Sequence, residues 1–215
     1  MKIKKILLIG IMILCLTGCT NVKDLSYDEI INMFTIKEKS PNVFKKGYQF
    51  YLPSGLIIDD SGSNYSIITS NNITYYLYVD LVSYLNGNKY DYKDDSSLVY
   101  SKTINYNKKS GFVQIKLLEN NQYLIEIMYN YAKIEVMVEE NLVNKALINS
   151  ISVLNSIKYN DLVIERLLND NDLSYTEEIF ELFENENSNS NILEYEKVTE
   201  DEEKDDELVD TDFIN

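Results

Sequence analysis

Polar and apolar residues change rhythm several times along this chain, and each change marks an element. An apolar run, Ile6 to Leu16, follows the basic start Lys2, Lys4 and Lys5. Ser26-x-x-Glu29 then has the form of a capping box, and Ile30, Met33, Phe34 and Ile36 follow at helical spacing, which predicts a helix ended by Ser40-Pro41. Beyond it the period shortens. Tyr48 to Leu52, Leu56 to Ile58 and Tyr65 to Thr69 read as short strands separated by Pro53-Ser54-Gly55 and by Asp59-Asp60-Ser61-Gly62. From Ile73 the odd positions Ile73, Tyr75, Leu77, Val79 and Leu81 alternate with Thr74, Tyr76, Tyr78 and Asp80, the pattern of a strand with one buried face, broken at Asn86-Gly87-Asn88. A polar excursion runs through Ser97. Strand signals return at Leu98 to Tyr106, Phe112 to Leu118 and Tyr123 to Tyr131, with hairpin-like connections between them, and Lys133 to Glu139 alternates again. Val143, Leu147, Ile151, Leu154 and Ile157 then form a helical stripe, followed after Lys158-Tyr159-Asn160 by two shorter helical patterns, Asp161 to Asn169 and Ser174 to Glu186.

Helix, hairpin-linked strands, long helix: this order predicts an α+β fold, an antiparallel sheet meander with helices packed on it. The expected domain spans 26–183, with its sheet core at about 43–139 and its C-terminal helices at about 141–183. The stretch Gly47-Tyr48-Gln49-Phe50-Tyr51-Leu52-Pro53-Ser54-Gly55, a strand ending in a Leu-Pro turn ahead of the meander and the long helix, resembles the PsbP/Mog1 type of fold. That resemblance implies an α/β/α sandwich and brings no catalytic motif with it. Two packed layers of another topology stay open beside it.

The first apolar run is too short to span a bilayer, which takes roughly 20 apolar residues. With three lysines before it, it has the layout of a secretory signal. Its end, Leu16-Thr17-Gly18-Cys19, resembles the lipobox of bacterial lipoproteins at all four positions. The resemblance implies signal peptidase recognition of Leu16, Thr17 and Gly18, cleavage after Gly18 and a diacylglycerol on the Cys19 sulfur. The expectation is therefore a signal peptide at 1–18, a lipidated tether at 19–25 and a chain held on the extracytoplasmic face of the cell membrane.

Charge refines this picture. The whole chain carries −15; without Lys2, Lys4 and Lys5 the processed chain carries −15 − 3 = −18 and keeps one cysteine, Cys19, so no internal disulfide is available to it. From Glu184 to Asn215 there are 13 acidic residues and two lysines. Such like-charge blocks repel themselves and offer little surface to bury, so 184–215 is expected to be a disordered acidic tail. A single arginine, Arg166, and scattered lysines argue against a nucleic-acid partner.

Chemistry is sparse. The absence of histidine excludes Ser-His-Asp and Cys-His nucleophiles and H-E-x-x-H zinc sites, and the seven glycines form no phosphate-binding loop. Abundant carboxylates read as solvated surface, and no catalytic residue and no cofactor beyond the covalent lipid is expected. One loop places oxygen ligands at EF-hand spacing: Asp170, Asp172, Ser174, Thr176 and Glu181. Tyr175 stands where that loop requires glycine, and Ser174-x-x-Glu177 equally forms a capping box, so the plain helix-loop-helix is the adopted reading and no metal is expected. Tyrosine is abundant, 18 residues against no tryptophan. Tyr75-Tyr76-x-Tyr78 and Tyr129-x-Tyr131 read as cross-strand partners on a half-exposed sheet face, with a sugar or peptide platform as the alternative. The expected function is a non-catalytic lipoprotein module binding a protein or envelope component; the alternative is a receptor for a small ligand or carbohydrate.

Overall fold

In the computed structural model Ser26 opens helix α1 (Tyr27–Ile36) as its capping box requires. The Ser26 hydroxyl accepts from the Glu29 N–H at 3.3 Å, and the Glu29 carboxylate accepts from the Ser26 N–H at 2.8 Å. The structure describes residues 25–88, 90 and 92–169. Ile30 and Ile31 are buried while Met33 and Ile36 are exposed, so the inward stripe of α1 is rotated from the one its sequence spacing indicates.

The strands form two antiparallel sheets. β1 (Val43–Phe44), β2 (Tyr48–Phe50) and β10 (Lys158–Tyr159) make a small sheet in the order β1-β2-β10. The large sheet contains β3 (Ile57–Ser61), β4 (Tyr65–Ser70), β5 (Ile73–Val79), β6 (Tyr100–Tyr106), β7 (Lys109–Leu117), β8 (Tyr123–Tyr129) and β9 (Ala132–Val138), in the order β3-β4-β5-β9-β8-β7-β6. It is two meanders joined edge to edge, and the seam is the antiparallel pairing of β5 with β9. Three of its hairpins turn on two residues, Asn71-Asn72, Asn107-Lys108 and Asn130-Tyr131, all with positive φ. That is the type I′ geometry, whose twist matches the strands and which asparagine tolerates well.

One face of the large sheet is the core. Ile73, Tyr75, Leu77 and Val79 of β5 share it with Ile125 and Ile127 of β8 and with Ile134 and Val136 of β9. Across it lies α3 (Val143–Asn155), entered through a 3-10 turn at Glu140–Leu142, with Leu147, Ile151 and Leu154 buried as the sequence stripe predicts. Asn149 Nδ2 donates to the Tyr75 hydroxyl at 2.9 Å, which fixes the odd-numbered face of β5 as the one under α3. Asn144 holds the Leu25 carbonyl at 3.0 Å beside the start of α3, and Asn155 holds the Phe34 and Thr35 carbonyls at 3.2 and 2.8 Å beside its end. The helices α1 and α3 therefore run parallel. Two contacts tie α1 to the β6 edge: Asp28 accepts from Lys102 and from the Tyr100 hydroxyl.

The α+β class and the antiparallel sheet agree with the sequence reading, and three local readings change. The strand begun at Ile73 ends at Val79, because Asp80 caps a short helix, α2 (Leu81–Asn86), accepting from the Ser83 N–H at 2.8 Å; Gly87, at φ 65°, closes it in the left-handed region. Tyr123 to Tyr131 is interrupted by the turn at Asn130-Tyr131. Lys158-Tyr159 is a strand too short to show a period. Helix α4 (Asp161–Asn169) follows it and packs with α2.

Candidate interaction surface

The second face of the large sheet carries no described helix, and the register of the strands sets its composition. Side chains directly opposite in an antiparallel sheet point the same way. One row therefore reads Tyr65, Tyr78, Lys133, Met128, Phe112 and Thr103; the next reads Ile67, Tyr76, Glu135, Glu126, Gln114 and Ser101. Most of these side chains are half-buried. At the middle Lys133 Nζ meets Glu135 Oε1 at 2.7 Å, with the two side chains 13% and 7% exposed. Glu135 is thus the only charged residue among the described ones whose burial matches the core.

Part of this face is covered by the chain itself. Tyr92 stacks on Phe112 with ring centroids 4.1 Å apart, and its hydroxyl lies 2.8 Å from Ser101 Oγ. Asp94 accepts from the Thr103 hydroxyl at 3.0 Å. The excursion between α2 and β6 therefore lies on the β6–β7 half. The half formed by β4, β5, β9 and β8 presents Tyr65, Ile67, Tyr76, Tyr78, Leu124 and Met128 around the ion pair. Aromatic side chains and methionine are enriched at protein interfaces relative to the rest of a surface, whereas lysine and glutamate are depleted there. Glu126 and Glu135 are register partners, yet Glu135 is engaged by Lys133, so the pair offers no free carboxylate couple of the glycosidase kind.

A tyrosine cluster closes the end of the sheet beside α2. Tyr84 stacks on Tyr159 at 3.8 Å and meets Tyr131 edge-on at 5.6 Å, while Tyr90 lies 6.1 Å from Tyr131. Their hydroxyls donate to Asp161 at 2.8 Å from Tyr84, to Asp80 at 3.0 Å from Tyr90 and to the Asn130 carbonyl at 2.6 Å from Tyr159. Burial, and then the bond to Asp161, pushes the Tyr84 phenol up to about 12. Burial also raises Tyr90 and Tyr159, with the Asp80 charge adding to both. Neutral phenols with acceptors for their protons describe a structural cluster.

Two open grooves are lined by described residues. One, of about 520 Å³, lies where α1 and α3 begin and is lined by Leu25, Tyr27, Glu140 and Asn144. The other, of about 440 Å³, lies on the small sheet and is lined by Phe44, Lys45, Lys46, Gln49, Lys158 and Tyr159 among others.

The residues singled out in the sequence divide accordingly. Tyr76 and Tyr78 lie on the face that carries no described helix; Tyr75 and Tyr129 are in the core, and Tyr131 sits in a turn, so Tyr129 and Tyr131 share no platform. Leu16, Thr17, Gly18 and Cys19 lie outside the described residues, as do Asp170, Asp172, Ser174, Thr176 and Glu181 and the acidic stretch 184–215. Among the described residues no group of three acidic or sulfur ligands converges on a point. The Lys133–Glu135 pair was not distinguishable in the sequence from an ordinary solvated alternation. No protein-family model matches the chain, and no curated protein matches it.

Proposed function

We infer that this chain is a bacterial lipoprotein, held through diacylglycerol on Cys19 at the outer face of the cell membrane, whose domain is a non-catalytic module for a protein or envelope partner. The lipobox Leu16-Thr17-Gly18-Cys19 after a basic start and a short apolar run supports the anchor. The observation that supports the module is the half of the large sheet's second face that no described helix covers, where Tyr76, Tyr78, Leu124 and Met128 surround the Lys133–Glu135 ion pair. A small-ligand or carbohydrate receptor calls for a deep aromatic cleft, whereas the tyrosines beside α2 fill their own space by stacking. The PsbP/Mog1 likeness is retained for the fold on the Leu52-Pro53 turn and the long helix over the sheet; a solved structure with a sheet order foreign to that family would overturn it.

Two measurements test the reading. Mass spectrometry of the protein recovered from its own cells should find Cys19 as the acylated first residue, and Cys19→Ala should release the chain from the membrane fraction. A photo-crosslinking residue at Tyr76 should capture a defined partner that the same residue at Met33, on exposed α1, does not. An unmodified Cys19 refutes the anchor. Identical capture from both positions refutes the surface.

A further inference from the structure

We propose that the outer face of the small sheet is a second membrane contact, which lays the domain against anionic phospholipid headgroups; this rests on the lipid-anchor reading. The register of the small sheet makes Phe44, Gln49 and Lys158 one row, pointing away from the row of Tyr48 and Tyr159. Phe44, on the edge strand, is 72% exposed, and Leu162, in the first turn of α4, is 68% exposed; they are the most exposed large apolar side chains among the described residues. Asn160 and Val163 of the segment leading into and through that turn line the same groove as Phe44.

Among the described residues that line the groove, Lys45, Lys46 and Lys158 are basic and none is acidic, in a chain with 35 acidic and 20 basic residues. Burial lowers the Lys45 ammonium from its ordinary value, and the charge of Asp60, on β3, opposes that shift. Lysines flanking an exposed phenylalanine and leucine are the composition of an interfacial lipid contact: aliphatic and aromatic groups enter the headgroup boundary and ammonium groups meet phosphates.

The opposite end of the helical layer has the other sign. Leu25, the first described residue, lies at the start of α3 with Asp28, Glu29 and Glu140 near it, while Lys158 follows the end of α3. A helix of 13 residues is about 20 Å long at 1.5 Å per residue. The tether expected at 19–25 reaches at most about 25 Å when extended. An anionic surface repels the acidic end and attracts the lysine end, and the tether is long enough to let the second end come down. Anchoring also removes most of the cost of association, because the contact becomes intramolecular.

Because the chain contains no tryptophan, Phe44→Trp creates a unique fluorescent reporter. The full protein bearing it would be recovered with its anchor and reconstituted into phosphatidylcholine vesicles with or without phosphatidylglycerol, each carrying brominated acyl chains. The expected result is about twofold stronger quenching with phosphatidylglycerol, lost at high salt and lost in the Lys45→Gln/Lys158→Gln background. A Tyr106→Trp reporter, on the far edge of the large sheet, should stay unquenched. Quenching at position 44 no greater than at position 106, or equal with and without phosphatidylglycerol, overturns the proposal. The mass of Cys19 in the same sample reports separately on the anchor: if it is unmodified, flotation of the unanchored protein with phosphatidylglycerol vesicles still decides the contact, failure to float overturning it.

Discussion

Replacing Glu135 tests how the second face of the large sheet is held together. Its carboxylate and the Lys133 ammonium meet at 2.7 Å with side chains 7% and 13% exposed, so removing either takes this ion pair away from the other, desolvated charge. A surface pair would be worth about 0–1 kcal/mol, but breaking a buried pair from one side typically costs about 3–5 kcal/mol. Glu135→Leu and Lys133→Met are each expected to fall in the second range, a drop in Tm of roughly 6–20 °C for a chain of this size. The double variant replaces two charges by apolar groups of similar length and should recover to within about 1 kcal/mol of the parent. Equilibrium urea unfolding of all four proteins gives the coupling energy directly. Single variants that each cost less than about 1 kcal/mol would show the pair to be effectively solvated, and the description of this face as a desolvated surface would fall. The folded double variant has a second use: loss of capture at position 76 in it would assign the charges to recognition instead of to stability.

Other outcomes follow from the buried polar groups and the turns. Tyr84 and Tyr129 are both pushed up to about 12, chiefly by burial, whereas an unfolded tyrosine titrates near 10. Their contribution is fully present below about pH 10 and is lost as pH rises towards 12, because there the unfolded chain has released protons that the native state still holds. Urea midpoints should therefore decline across that window, with less slope in Tyr84→Phe, and phenolate absorbance should show a late-titrating set; level midpoints would refute the assignment. Asn155→Ala removes the donor to the Phe34 and Thr35 carbonyls that end α1, and should cost about 2–3 kcal/mol in urea unfolding, whereas a cost under about 0.5 would mean that water replaces the amide. At Gly111 an added Cβ would stand 1.9 Å from the Met128 carbonyl oxygen. Gly111→Ala should thus destabilise by about 2 kcal/mol or more through forced separation of β7 from β8, and an unchanged urea midpoint would contradict that geometry.

What the sequence revealed was whatever depends on near neighbours. The Ser26-x-x-Glu29 box closes within a single turn of α1, and the stripe Val143, Leu147, Ile151, Leu154 fixes which side of α3 is buried without any knowledge of what buries it. Asparagine at the hairpin corners signals the turns, since it accepts positive φ more readily than most residues. Pairing between distant segments left no local trace. The neighbour of β5 is β9, more than fifty residues on, and β2 is joined by the two residues of β10. Alternation at Lys133 and Glu135 places them on the face opposite the core, as their register with β5 and β8 does, but nothing local signals that they are buried there. The helix α2 was concealed because Leu81 and Ser83, both buried, also satisfy a period of two.

The same long-range pairing decides where the excursion between α2 and β6 crosses the sheet. Alternating directions along β5-β9-β8-β7-β6 make β5 and β6 parallel, with three strands between them. The connection must therefore cross four strand spacings, about 19 Å, and also travel back the length of a strand, about 23 Å for seven residues. The face under α1 and α3 is filled, so the connection takes the other one. Its first part is spent turning at the sheet end as α2, where Tyr84 joins the tyrosine cluster, and its later part lies over β6 and β7, where Tyr92 stacks on Phe112. The half that no described helix covers is then what this path leaves, bounded by the excursion on one side and by β3 on the other. A partner that binds there meets the seam between the two meanders, the pairing of β5 with β9, and its binding free energy adds to the stability of the folded domain.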